Sequence, residues 1–185
     1  LKTSINIFNI IESDKIIHNE ISDIVNACVK SLKLGGKILF AGNGGSAADA
    51  QHMAGEYVSR FAFDRPGMAA VSLATDTSIL TAIGNDYGYD KVFARQVQAI
   101  GNAGDILMGY TTSGKSANIL NAFDVAKKNG IKSIAFTGGH GGPIVDKTDF
   151  IIEVPSTDTP RIQEAHAIIG HVICGLIEIE IFGKK

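Results

Sequence analysis

The feature that most constrains the fold is the alternation of short apolar runs with amphipathic segments along the chain. Each run is five or six residues long and mainly apolar, which is typical of buried strands. An amphipathic segment between successive runs predicts crossover helices, and such crossovers produce a parallel sheet that is covered on both faces. The predicted strands are 37–41, 69–73, 105–110, 132–136 and 150–154.

The length of the chain and its two ends complete the predicted architecture. With 185 residues, the chain is long enough for one domain and short for two of ordinary size. A long amphipathic helix is predicted at about 5–34 and another at about 161–182, with the sheet core between them at about 37–154. We therefore predict a single α/β domain over residues 1–185, a doubly wound sandwich of about five parallel strands.

Composition limits the classes of partner. There are 17 Lys and Arg against 19 Asp and Glu, whereas proteins that bind a nucleic-acid backbone usually have a strong basic excess. The most apolar stretch, 167–182, is interrupted by charged residues and falls short of the roughly 20 residues of a spanning helix. Cys28 and Cys174 lie among apolar neighbours, which favours reduced thiols. We expect a cytoplasmic protein that binds neither nucleic acid nor a membrane.

A glycine-rich turn, Gly42-Asn43-Gly44-Gly45-Ser46, follows the first predicted strand, and a helix begins at once. Backbone N–H groups at the start of a helix favour a phosphate or a carboxylate. The run approximates the dinucleotide pattern G-x-G-x-x-G, but no acidic residue closes the second strand about 20 residues on, which disfavours a nicotinamide cofactor. The alternative is a tight turn that needs glycine for backbone reasons alone.

A hydroxyl-rich loop follows the third predicted strand. It carries four hydroxyl side chains, Thr111, Thr112, Ser113 and Ser116. The segment Gly109–Ser116 also satisfies the nucleotide P-loop pattern G-x-x-x-x-G-K-[ST], with Lys115 as its lysine. A P-loop relies more on glycine amides than on hydroxyls, and Gly109 is predicted to lie inside the strand. The favoured interpretation is therefore a phosphomonoester site, and the alternative is a P-loop NTPase.

His52 and Glu56 are four residues apart on the helix predicted after the glycine-rich turn, so they share one face. An imidazole and a carboxylate so placed can bind one divalent metal or divide a proton transfer between them. The alternative is an exposed pair with no function, which is the better interpretation of an isolated pair. The position of this pair, one to two turns beyond an anion-binding loop, favours a functional role.

The predicted last helix carries Gln163, Glu164 and His171 among apolar neighbours. Gln163 and His171 are about 12 Å apart along an ideal helix and rotated by about 80°, so one ion could hardly be held by both from mid-helix. Either Gln163 lies at the helix start and reaches back, or the site draws on two subunits. Glu164 aligns better with His171 on geometry alone. The other histidines are assigned to surface, packing or loop positions: His18, His166 and His140.

Four segments together resemble the sugar isomerase (SIS) domain family, and within it the phosphoheptose isomerases. They are GNGGSAADAQHMAGE at 42–56, TAIGNDYGY at 81–89, TTSGKSAN at 111–118, and RIQEAH at 161–166 with the following His171. The resemblance spans nearly the whole chain and implies an SIS-type sandwich. It also implies an aldose–ketose isomerase that converts sedoheptulose 7-phosphate to D-glycero-D-manno-heptose 7-phosphate through an enediol. That reaction begins nucleotide-activated heptose synthesis for lipopolysaccharide or capsule.

The resemblance implies roles for individual residues. Glu56 and His171 would be the acid–base pair. One zinc ion per subunit would be held by His52, Glu56, Gln163 and His171. The phosphate would be held by Ser46, Thr111, Thr112, Ser113 and Ser116. The rest of the substrate would contact Asn43, Gly44, Gly45, Asn85 and Asp86, together with Glu56 and Gln163. The family forms homotetramers with active sites at subunit contacts, which would remove the distance problem between Gln163 and His171.

Two further points concern catalysis. One non-enzymatic relative, an adaptor that associates with the bacterial replication initiator, lacks the residues corresponding to Glu56 and His171. Both are present here, which favours an enzyme over an adaptor. Some relatives carry an acidic residue just before the Arg-Ile-Gln run, where this chain has Pro160, and Asp158 is the candidate substitute for that substrate contact.

Overall fold

The computed structural model describes residues 1–139 and 141–183, and its centre is a five-stranded sheet. The strands are β1 Ile38–Gly42, β2 Ala70–Ser72, β3 Ile106–Tyr110, β4 Lys132–Gly138 and β5 Phe150–Val154. Every pairing is parallel, and the spatial order is β2-β1-β3-β4-β5. The predicted α/β sandwich is confirmed, and each strand lies within two residues of its predicted bounds.

Helices cover both faces of this sheet. They are α1 Lys2–Ser13, α2 Lys15–Lys33, α3 Gly45–Val58, α4 Thr77–Tyr87, α5 Val92–Ile100, α6 Ala117–Lys128 and α7 Thr159–Phe182. The first three and α7 pack on one face, and α4, α5 and α6 pack on the other. Strand β1 shows why two cores form: Ile38 and Phe40 enter the first, whereas Leu39 enters the second, because side chains alternate along a strand.

The N-terminal helix differs from its prediction. A single helix at about 5–34 is wrong, because α1 ends at Ser13 and α2 begins at Lys15. Asp14 between them is extended, at φ −85° and ψ 102°, and its carboxylate accepts hydrogen bonds from the amides of Ile16 at 2.8 Å and Ile17 at 3.4 Å. Asp14 is thus an N-cap, which satisfies amides at the start of α2 that a continuous helix would have bonded internally.

The C-terminal helix α7 is long, as predicted, and apolar along most of its length. Length alone does not exclude it from a membrane, contrary to the expectation for 167–182, because it has 24 residues and a window of mean hydropathy 1.6. Its inner side packs on α2 and α3 in the way of a core helix. Its outer side exposes an apolar stripe of Ile168, Val172, Leu176 and Ile179, each 37–46% exposed.

The strand order brings the two predicted anion loops together. Strands β1 and β3 are neighbours, and the helices that follow them, α3 and α6, leave toward opposite faces of the sheet. The order 2-1-3-4-5 therefore opens a crevice beyond the carboxyl ends of these two strands, where open α/β sheets bind their ligands. The glycine-rich turn 42–46 and the hydroxyl-rich loop 111–116 both begin at this edge.

Candidate active site

A reciprocal amide pair joins the two loops. Asn43 donates to the side-chain oxygen of Asn118 at 2.9 Å, and Asn118 donates back to the side-chain oxygen of Asn43 at 2.8 Å. The Tyr89 hydroxyl donates to that same Asn43 oxygen at 3.1 Å. The side chain of Asn43, predicted to contact substrate, is therefore engaged in holding the turn after β1 against the start of α6. Asn118 and Tyr89 lie within the segments 111–118 and 81–89, but no sequence pattern marks either of them as a contact between the loops.

The glycine-rich turn is held in a shape that other residues would not adopt. Gly44 has φ +56°, in the left-handed region that favours glycine, and it precedes α3 directly. A Cβ on Gly45 would lie 2.5 Å from the Nε2 atom of Gln163, so the turn also contacts α7 closely. Ser46, in the first turn of α3, is 4% exposed. The backbone conformation and the contact with α7 thus explain these glycines, and anion binding by the turn stays a prediction.

The hydroxyl-rich loop borders a cavity of about 210 Å³. Thr112, Ser113 and Lys115 of this loop line the cavity, together with Ser156, Thr157 and Thr159 at the start of α7 and just before it. Its walls thus combine five hydroxyl side chains with one ammonium group and the first turn of α7, which is a suitable environment for an anion. Deeper in the loop, the hydroxyls of Thr111 and Ser116 lie 3.0 Å apart and hydrogen bond to each other.

The P-loop match is explained by packing. Gly109 lies within β3, as predicted, and a Cβ there would come 2.7 Å from the Phe123 ring of α6. The glycine is therefore needed for helix-to-sheet contact, and no phosphate loop begins at it. Gly114 has φ +64°, and a Cβ on it would collide with the carbonyl oxygen of Gly141. The arrangement favours a side-chain hydroxyl cradle over a nucleoside triphosphate loop.

Helices α3 and α7 bring His52, Glu56 and His171 together. The Nε2 atom of His52 lies 3.0 Å from Glu56 Oε1 and 3.3 Å from His171 Nε2. One ligand atom from each of the three residues lies within 4.8 Å of the others. Two imidazole nitrogens and a carboxylate oxygen are ligands that Zn²⁺ prefers, and neighbouring ligands of a tetrahedral zinc lie about 3.4 Å apart. The donor set and its spacing fit one metal ion.

Gln163 and Glu164 are placed differently from this cluster. Helices α3 and α7 run side by side, so that Gln163 contacts Gly45 while His171 contacts His52 about 12 Å further along. Gln163 of the same chain therefore lies beside the glycine-rich turn. Glu164 accepts a hydrogen bond from Ser4 at 2.9 Å and forms an ion pair with Arg161 at 2.8 Å. The alignment of Glu164 with His171, which helix geometry alone favoured, is therefore wrong.

The two predicted substrate residues of α4 are exposed. Asn85 and Asp86 lie in its last turn, and Asn85 donates to the Asp86 carboxylate at 2.8 Å. Helix α4 packs on α5 and on the 3-10 turn Tyr89–Lys91. Both side chains are thus available to a substrate or to a neighbouring subunit.

Asp49 and His166 lie on α3 and α7, the two helices of the cluster, and both have shifted pKa values. Burial raises the pKa of Asp49, one turn before His52, although the charge of His52 lowers it in part. His166 is fully buried, and burial lowers its pKa to about 4 even though its ring bonds the Thr137 carbonyl at 3.2 Å. His166 is therefore a neutral packing residue, and His18 is exposed, both as predicted. His140 lies outside the described residues.

Comparisons with known proteins decide the family. The SIS domain family matches residues 6–138. A phosphoheptose isomerase of Burkholderia pseudomallei (strain 1710b) is 61% identical over 173 residues, 94% of this chain and 88% of that protein. This chain belongs to the phosphoheptose isomerase family. Among solved structures, the phosphoheptose isomerase of Neisseria gonorrhoeae is 44% identical with a TM-score of 0.89, and covers 96% of this chain and 94% of its own.

A second solved phosphoheptose isomerase, from Francisella tularensis, gives a TM-score of 0.90 at 40% identity, over 95% of this chain and 93% of its own. Membership of this family fits the chemistry of the site. Glu56 and His171, whose presence favours an enzyme over an adaptor, lie in one cluster with His52. The adaptor and the NTPase alternatives are therefore not favoured.

Proposed function

We propose that this chain is an aldose–ketose isomerase that converts sedoheptulose 7-phosphate to D-glycero-D-manno-heptose 7-phosphate. The observation that carries the proposal is the convergence of Glu56 and His171, from α3 and α7, beside the crevice between β1 and β3. A carboxylate and an imidazole so close can act as base and acid on adjacent atoms of one small substrate.

The phosphate of the substrate would bind in the hydroxyl cradle. Ser46, Thr111, Thr112, Ser113 and Ser116 supply the hydroxyls, and the first turns of α3 and α6 supply backbone amides. Gly44, Gly45 and Gln163 would border the sugar, with Asn85 and Asp86 contributing from α4. The side chain of Asn43 would act indirectly, since it holds the turn in place through Asn118.

The reaction moves one proton between two carbons. Glu56 takes the proton from C1 while an acid donates one to the C2 oxygen, which gives the enediol. The C1 hydroxyl then loses its proton, and Glu56 returns a proton to C2, which gives the aldose. We assign His171 to the oxygen atoms, because an imidazole can both donate and accept near neutral pH.

We propose further that His52, Glu56, Gln163 and His171 hold one zinc ion per subunit. When bound, zinc polarises the carbonyl and stabilises negative charge on the adjacent oxygens. Gln163 of the same chain lies near Gly45, so a Gln163 from a second subunit would complete the set. Glu56 and His171 cannot hold a metal and move protons freely at the same moment, so the zinc dependence of each step should be measured.

The surroundings of the site support a homotetramer with active sites at its subunit contacts. The apolar stripe on the outer side of α7 begins at Ile168, about two and a half turns after the start of that helix, and passes His171. We propose that the chain is a single SIS domain, acts in the cytoplasm, and binds neither nucleic acid nor a membrane. Its product would supply nucleotide-activated heptose for lipopolysaccharide or capsule.

Proton NMR in D₂O tests the reaction directly. With sedoheptulose 7-phosphate, with and without added zinc, we expect an aldose anomeric signal and deuterium at C2. Glu56→Gln and His171→Gln should remove the aldose signal and the deuterium at C2. Glu180→Gln, which changes an exposed carboxylate on α7, should remove neither. No conversion by folded wild-type protein in either condition would exclude this substrate.

A further inference from the structure

A buried ion pair lies behind the His52–Glu56–His171 cluster. Glu178, two turns after His171 on α7, is 0% exposed, and its carboxylate meets the Arg65 guanidinium at 2.9 Å. The same carboxylate accepts hydrogen bonds from the amides of Phe61 at 3.0 Å and Ala62 at 2.8 Å. Burial raises the pKa of Glu178, but the hydrogen bonds from these two amides and from Arg65 outweigh burial and lower it. The carboxylate is thus charged and has several donors.

The other side of the ion pair binds the end of α3. Arg65 donates to the backbone oxygen of Glu56 at 2.8 Å and to that of Tyr57 at 2.7 Å. These carbonyls belong to the last turn of the helix that carries His52 and Glu56, where helix carbonyls lack internal partners. One ion pair therefore connects the two helices that supply the cluster, and it fixes the loop 59–69, which follows α3.

That loop places an aromatic ring on His171. The ring of Phe61 stacks on the imidazole, with centroids 5.4 Å apart and an interplanar angle of 25°. His52 meets the same imidazole edge-on, at 4.9 Å between centroids. Gly175, one turn further along α7, leaves room for the ring: a Cβ there would lie 3.1 Å from Phe61 Cε1. The imidazole is thus held between a ring face and the His52 ring.

We propose that Arg65, Glu178 and Phe61 position His171: the ion pair fixes the loop, and the loop holds the Phe61 ring against the imidazole. The role of His171 in this inference rests on the proposed function, whereas the geometry rests on the contacts. Because a ligand or acid–base group must be held within a fraction of an ångström, groups that orient it affect metal affinity and turnover. Phe61 touches no reacting atom and is a positioning residue.

Phe61→Leu is the variant that tests this role, because Phe61 is half-buried and the protein should tolerate its loss. Phe61→Tyr keeps the ring and serves as the rescue. Phe150→Leu is the matched control, since Phe150 is a half-buried phenylalanine on β5 under Lys132. The readouts are the His171 signals in metal-free protein labelled at its five histidines, zinc affinity by chelator competition, and kcat and KM. His171→Gln assigns the His171 signals.

We expect Phe61→Leu to move the His171 signals downfield, because the ring current of the stacked phenylalanine is lost. Zinc affinity and kcat should each fall by roughly threefold to tenfold with little change in KM. Phe61→Tyr should keep zinc affinity and kcat near their wild-type values and the His171 signals near their wild-type positions. Phe150→Leu should leave the same three quantities unchanged. Unchanged His171 signals and zinc affinity in folded Phe61→Leu would overturn the positioning role. Because neither readout needs the sugar, failure of wild-type protein to isomerise would refute the proposed function and leave this test standing.

Discussion

Asn118→Ala tests whether the side chain of Asn118 holds the glycine-rich turn 42–46 against the start of α6. If the side chain only stabilised α6, its loss would lower stability without changing substrate binding. Asn118 is 4% exposed, and its side chain makes the two hydrogen bonds of 2.9 and 2.8 Å with Asn43. After Asn118→Ala, the Asn43 oxygen still accepts from Tyr89, but the Asn43 amide has lost its partner inside the protein. Each hydrogen bond contributes about 1 kcal/mol and two are lost, so we expect the free energy of unfolding to fall by about 2 kcal/mol.

The loss should appear in both stability and binding. A change of about 2 kcal/mol corresponds to a fall in Tm of about 4–8 °C for a chain of this size, measured at one fixed protein concentration. Because the loop after β1 is then no longer fixed to the start of α6, KM for the sugar phosphate should rise several-fold. Asn118→Asp, which keeps the acceptor for the Asn43 amide, should recover part of both effects.

Asn121→Ala is the matched control on the same helix. Asn121 is half-buried and donates to the backbone oxygen of Asp90 at 2.8 Å and to its carboxylate at 3.3 Å, and Asp90 belongs to neither of the two loops. It should lower the Tm by less and leave KM unchanged. An Asn118→Ala protein with wild-type Tm and wild-type KM would refute the reasoning, and so would equal effects of the two substitutions on KM.

Three further predictions follow from the same structure. Gly114→Ala should lower the free energy of unfolding by about 1–2 kcal/mol or more in chemical denaturation, because the backbone at 114 is left-handed and a Cβ there would meet the Gly141 carbonyl. It should also reduce phosphate affinity. Gly84→Ala, where a Cβ would enter open space, should have neither effect. His166 binds protons less readily when folded, with a pKa of about 4 against 6.5, so stability should fall as pH drops from about 6.5 towards 4, and His166→Phe should flatten that slope. Lys115→Ala should have at most a moderate effect on KM, and calorimetry should detect no ATP binding by wild-type protein; wild-type ATP affinity that this change abolishes would restore the P-loop interpretation.

The sequence was sufficient where the signal is local. The five strands were predictable because apolar runs such as 37–41 are bounded by turns, and His52 and Glu56 were predictable as a pair because four residues make one helical turn. The break at Asp14 was missed, since an N-cap aspartate inside a long amphipathic pattern resembles an ordinary helix position.

The sequence was insufficient where contacts join distant segments. The approach of His171 to His52 depends on how α3 and α7 pack, and residue spacing on α7 alone favoured Glu164, which in the structure binds Ser4. The Arg65–Glu178 pair joins residues 113 positions apart, and no periodicity marks either of them. The resemblance to a family predicts a role for His171 in the site, but it predicts no role for Asn118 or Phe61.

The most direct test of the central claim is the zinc stoichiometry and affinity of metal-free protein, measured by chelator competition and elemental analysis. The claim is that α3 and α7 build one metal site from His52, Glu56 and His171. It predicts one zinc per chain for wild-type protein, a loss of at least about tenfold in affinity for His52→Gln and for His171→Gln, and no change for the exposed His18→Gln. Wild-type zinc affinity in His171→Gln would contradict it.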